Sequence, residues 1–138
     1  GTLNEKMAPW TRPIFDVFAE YYHKKEIDKM LEEGVIEISP LAYMRGRTFK
    51  NAYIVADEMQ NATINQMKML LTRLGENSKM VVTGDLAQAD RLNDNGLINF
   101  CSLLAENPAL KHIDLVQFDH KDIERHEAVK EVLAIYGD

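Results

Sequence analysis

Asp57 and Glu58 stand directly after the apolar run Ile54-Val55-Ala56, and Thr83-Gly84-Asp85 stands directly after a second run, Met80-Val81-Val82. An apolar run ending in acids is how a buried strand delivers carboxylates to the rim of a sheet. In open parallel sheets that rim is where ligands bind, because loops and helix starts converge beyond the carboxyl ends of the strands. Acids repeated there point to a metal-nucleotide site. The first carboxylate, Asp57, is placed to hold a divalent cation, and the second, Glu58, to orient or activate an attacking water. A single pair of acids after a strand is as readily a decorated turn, and the repetition weighs against that reading. The loop that grips the phosphates in many such sites, G-x-x-x-x-G-K-[ST], does not occur in the 138 residues.

The elements that must position these residues follow from periodicity. Apolar residues at helical spacing (Ile14, Phe15, Phe18, Tyr22, then Ile27, Met30, Leu31) predict one long or two short helices over 13–33, with Pro13 in the first turn and Gly34 as the stop. Val35–Ile38 reads as a short strand closed by Ser39-Pro40. After a basic loop around Arg45-Gly46-Arg47-Thr48, the pattern predicts a strand at 52–56 and a helix near 63–74 capped by Asn61 or Thr63. A strand at 79–83, a polar loop at 84–95 and a helix near 96–106 come next, then a strand at 112–118 and a last helix over 121–136. Strands alternating with helices imply crossover units and a mostly parallel α/β sheet.

Composition narrows the function classes. With 46% hydrophobic residues the chain can build one core, and it is too short for two ordinary domains. Its apolar runs are far below the roughly 20 residues that span a bilayer, so no membrane association is expected. The net charge of −6 gives nucleic acid no general attraction, so any such contact must come from local basic stretches. One cysteine, Cys101, excludes a disulfide within the chain and sits in an apolar pattern, where it reads as a small core residue. A reducing compartment, the cytoplasm, is expected. Four histidines without paired spacing argue against zinc. The start at Gly-Thr-Leu, without Met, leads to the expectation of an internal fragment whose phosphate loop lies upstream.

Asp57-Glu58-Met59-Gln60 and Gly84-Asp85-Leu86-Ala87-Gln88 have the form of the DExQ and GDxxQ motifs of superfamily-one helicase-type ATPases. The wider stretches LAYMRGRTFKNAYIVADEMQNATINQMKMLLTRLG and SKMVVTGDLAQAD, flanked by EKMAPWTRPIFDVF and VQFDHKDIERHEAV, resemble the PhoH-like (phosphate-starvation-inducible) family over nearly the whole chain. The resemblance implies a RecA-like P-loop NTPase, a three-layer sandwich, present as a partial domain without the phosphate-loop strand and helix. It implies ATP and Mg²⁺ as cofactors, RNA as a partner, and a homo-oligomeric ring, with a hexamer as one size. Asp57 would be the Walker B metal carboxylate, Glu58 the catalytic base, and Gln60 a contact to the γ-phosphate or its water. Thr83, Gly84, Asp85 and Gln88 would form the sensor motif.

Arginines complete phosphoryl-transfer sites, because a guanidinium neutralises transition-state charge with a planar fork of donors. Arg45 and Arg47, in a short basic loop, suit a phosphate of ATP or RNA, and a solvated loop is the alternative. Arg125 matches a recurrent family position and is expected as an arginine finger across a subunit interface; Arg73, at a helix end, reads as structural. Without a phosphate loop, the chain alone is expected to be inactive, and its sensor strand to lack a central neighbour, leaving it poorly stable or self-associating. Two other functions compete with ATP hydrolysis: a non-catalytic RNA- or partner-binding module, and a metal-dependent nuclease using Asp57, Glu58, Asp85 and Asp90.

Overall fold

The computed structural model describes residues 3–138. The chain is α/β with a small parallel sheet, and it divides into two compact units. One comprises Gly1–Val55 with Lys68–Val81, the other Ala56–Met67 with Val82–Asp138.

In the first unit, α1 (Leu3–Ala19) and α2 (Lys24–Glu32) pack together. Pro13 lies inside α1 rather than in its first turn, so the helix begins earlier than the proline suggested. Phe18 stands between Phe15 and Tyr22, with ring centroids 6.3 and 6.4 Å away. The predicted strand at 35–38 is absent. Gly34 takes a left-handed φ of +75°, its amide donates to the Leu31 carbonyl, and the Val35 amide donates to the Met30 carbonyl at 2.8 Å. That is a Schellman closure of α2, and it turns toward the helix the amides of Val35 and Ile36 that a strand would need.

Two strands form, β1 (Tyr53–Ala56) and β2 (Lys79–Val82), joined through α3 (Ile64–Leu71). The Lys79 amide donates to the Ala52 carbonyl and the Thr83 amide to the Ala56 carbonyl, a register that advances equally along both strands and is therefore parallel. A parallel bridge between Phe49 and Leu74 precedes the pair. Asn51 and Asn77, both with positive φ, join side chains at 2.9 Å.

In the second unit, a 3-10 turn at Met59–Asn61 packs against α4 (Gly96–Glu106). Met59, Ala62 and Met67 are its buried apolar residues. Thr63 caps α3 with a capping box: its hydroxyl accepts from the Gln66 amide, and the Gln66 side chain accepts from the Thr63 amide. Further turns at Leu86–Gln88 and His120–Asp122 lead to α5 (Glu127–Tyr136). The last helix starts six residues later than its apolar pattern implied, because His126 caps it, Nδ1 accepting from the Ala128 amide. The predicted strand at 112–118 is likewise not formed. Its Ile113, Leu115, Val116 and Phe118 are exposed, and no ladder partner lies beside it among the described residues. Alternating apolarity makes a strand only where a neighbour supplies hydrogen bonds. No helix among the described residues is long and apolar enough to cross a membrane.

Candidate functional site

Because β1 and β2 are parallel, the segments that follow them leave the sheet at the same edge. Asp57 and Glu58 follow β1, and Thr83, Gly84 and Asp85 follow β2. The Thr83 hydroxyl joins them: it donates to Asp57 Oδ1 at 2.5 Å and accepts from the Glu58 amide at 3.4 Å. The Met59 amide then donates to the Thr83 carbonyl at 2.9 Å. Both acids are exposed, and the second oxygen of Asp57 accepts no hydrogen bond among the described residues.

Glu58 has φ 57° and ψ 48°, the left-handed region, where a residue with a Cβ carries roughly 1–2 kcal/mol of strain. Such outliers persist only where surrounding contacts impose them, and they gather at functional sites. Gln60 supplies one of those contacts. It is buried, 6% exposed, and its Nε2 donates to Glu58 Oε2 at 2.6 Å while its Oε1 accepts from the Asp85 amide at 3.3 Å. An amide is the side chain that can do both, since it donates at one end and accepts at the other. A Cβ at Gly84 would displace the end of the Leu97 side chain and stand a tight 3.2 Å from the Gln60 nitrogen, so the two segments approach closely there. Asp85 turns inward on its own turn, accepting from the Ala87 amide and from Gln88 Nε2, each at 3.0 Å.

Beneath this cluster lies Asn95, 4% exposed. Its Nδ2 donates to the Gln60 carbonyl at 2.6 Å and to the Arg91 carbonyl at 2.7 Å, while its Oδ1 caps α4 by accepting from the Ile98 amide. Asn61 Oδ1 accepts from the Asp90 and Arg91 amides, and Asp94, with φ 52°, accepts from the Ile64 amide at the start of α3.

Arg47 belongs to the first unit, where it forms a two-pronged ion pair with Glu37 at 2.6 and 3.0 Å and lies over the Phe49 ring, 4.5 Å from its centroid. The guanidinium holds the Glu37 carboxyl below its ordinary range, and the carboxylate raises Arg47 in turn. Arg125 is exposed between the last 3-10 turn and α5, and no hydrogen bond or ion pair joins it to the acids among the described residues. Burial pushes the Cys101 thiol up, as suits a packing residue rather than a nucleophile.

The family described as PhoH-like protein matches residues 1–137. The chain belongs to the PhoH-like family. It is 42% identical to the PhoH-like protein of Bacillus subtilis and 44% identical to that of Mycobacterium tuberculosis strain H37Rv. It is 40% identical to Protein PhoH of Escherichia coli K12. Each alignment covers 99% of this chain but only 39–42% of the relative, so the chain spans about two fifths of the length of the curated relatives it matches.

Of the residues singled out in sequence, the PhoH-like chain therefore gathers Asp57, Glu58, Gln60, Thr83, Gly84, Asp85 and Gln88 into one hydrogen-bonded cluster. Sequence reasoning passed over Asp94 and Asn95 as part of a polar loop, and weighed Asn61 only as a helix cap. A signal was present: an Asn directly before Gly96 and an apolar helix is a strong N-cap pattern. No group of three or more His, Cys, Asp or Glu residues could hold a metal among the described residues.

Proposed function

We propose that this PhoH-like segment carries the acid and sensor half of an ATP-hydrolysing site of the RecA-like P-loop class. The observation that carries the reading is the double hold on Glu58, by Thr83 from the end of β2 and by Gln60, in a backbone conformation that resists a side chain. A solvated turn has no need of it.

The donor set fits Mg²⁺, which keeps most of its waters and takes further oxygens from one or two carboxylates and the substrate phosphates. Asp57 would hold it through the oxygen that Thr83 leaves free. Once bound, the ion neutralises charge on the transferring phosphoryl group. The chain's own residues do the rest. Thr83 fixes the orientation of Asp57 by donating to one of its oxygens. Glu58, exposed and oriented by Gln60, is placed to accept the proton of an attacking water. Gln60 ties that carboxylate to the Asp85 amide, so the segment after β2 moves with the base.

In the full chain, Glu58→Gln should lower ATP turnover by at least ~100-fold while leaving ATP binding intact, and Asp57→Ala should weaken Mg²⁺-dependent binding itself. Turnover retained by Glu58→Gln would remove Glu58 from this role. RNA added to the same assay should raise the rate. An unchanged rate would confine the reading to ATP hydrolysis without an RNA partner.

A further inference from the structure

We infer that Asn95 is a positioning residue of the hydrolytic site, acting through Gln60; the inference rests on the reading of Glu58 as the base. Nothing in its sequence neighbourhood marks it as chemical, and it touches neither acid. Its place is one step behind them.

Asn95 is nearly inaccessible, and both its N–H donors and its oxygen are bonded to backbone groups from three different segments. The bond to the Gln60 carbonyl, at 2.6 Å, fixes the main chain of the residue whose side chain reaches Glu58 and Asp85. The bond to the Arg91 carbonyl ties that main chain to the loop following the Asp85 turn. The cap on Ile98 anchors both to α4, a rigid element. Next door, the Gly96 amide donates to the Ala62 carbonyl at 2.7 Å, and the Asn61 side chain grips the Asp90 and Arg91 amides from the opposite direction. The 3-10 turn that carries Gln60 is thus held on both sides by the stretch 90–96. A strained Glu58 between such anchors is set by them rather than by its own preference.

Only an amide serves at position 95. Two carbonyls and one N–H face it, and an aspartate of the same shape would keep the cap while turning oxygen lone pairs on both carbonyls. A serine would keep the cap and lose at least one donor.

The test uses Asn95→Ser and Asn95→Asp in the full chain, each alone and in a Gln60→Ala background. Asn95→Ser should lower kcat for ATP about 10- to 100-fold with KM unchanged, as misplacement of a catalytic group does, and the loss should vanish when Gln60 is alanine, since there is then no side chain left to aim. Asn95→Asp should do the same or worse; if it does not fold, the serine variant carries the test. Amide hydrogen exchange supplies a readout without turnover. In Asn95→Ser the Asp85 amide should exchange about tenfold faster, while the Ile98 amide, still capped, keeps its protection.

A loss of equal size in both backgrounds would reduce Asn95 to general stability and overturn the proposal. So would unchanged kcat with an unchanged Asp85 exchange rate. If the unmodified chain turns over no ATP, the proposed function falls by itself, and the Asp85 exchange rate alone decides whether Asn95 governs Gln60.

Discussion

Glu58 sets two demands against each other. Its backbone occupies a region suited to glycine, while the proposed function requires its carboxylate, held by Gln60. Replacing it by glycine should therefore raise stability by about 1 kcal/mol, from relief of left-handed strain, and abolish turnover at once. Chemical denaturation at matched conditions reads the first effect and an ATPase assay the second. A variant that is destabilised would mean that the hydrogen bond from Gln60 outweighs the strain. In the proposed function this opposition keeps activity at some cost in stability. Sequence disclosed Asp57 and Glu58 because acids after an apolar run are a one-dimensional pattern. It did not disclose the φ of Glu58, which is imposed by partners distant in sequence, Thr83 above all.

Among elements, helices were more legible than strands. α4 was expected near 96–106 and forms over Gly96–Glu106, since Asn95 and the apolar spacing act locally. The strands at 35–38 and 112–118 failed for the opposite reason: a strand depends on a neighbour the pattern cannot name, and Gly34 instead folds Val35 back on α2. The contact of α4 with the start of α3 offers a direct test. A Cβ at Gly96 would meet the Thr63 carbonyl and lie 2.7 Å from Met67 Cβ, both parts of a packed helix start. Gly96→Ala should cost about 1–3 kcal/mol, the usual range for overpacking, seen as a lower denaturant midpoint with unchanged slope. In the first unit, the Arg47–Glu37 pair yields a pH signature. Glu37 titrates below its ordinary value of 4.5, so its stabilisation is fully present above that value and is lost as pH falls through the lowered one. Both side chains are more than a third exposed, so screening keeps the effect below ~1 kcal/mol. Comparing wild type with Glu37→Gln, the stability gap should be constant near neutrality and narrow as the pH falls below 4.5; a gap that does not narrow under acid would exclude the pair as its source.

For the whole molecule, the chain spans about two fifths of the length of its relatives, and its 138 residues hold no phosphate loop. The proposed function also calls for an arginine to meet transition-state charge, and Arg125 stands exposed in the second unit with no hydrogen bond or ion pair to the acids among the described residues. If Arg125 serves a neighbouring copy, Arg125→Ala and Glu58→Gln should each be inactive alone, yet mixing them should restore part of the turnover, because some interfaces then pair an intact base with an intact arginine. No recovery on mixing would place the arginine's role, if any, within one copy. The Thr83 hydroxyl has a further mechanical meaning. It has a single proton, given to Asp57, and it receives one from Glu58, so two residues of one strand end are gauged against one atom of the other. Hydrogen bonds weaken steeply with misalignment. A displacement of Thr83 would therefore loosen the Asp57 carboxylate and the Glu58 amide together, while Gln60 alone would still hold the Glu58 carboxylate.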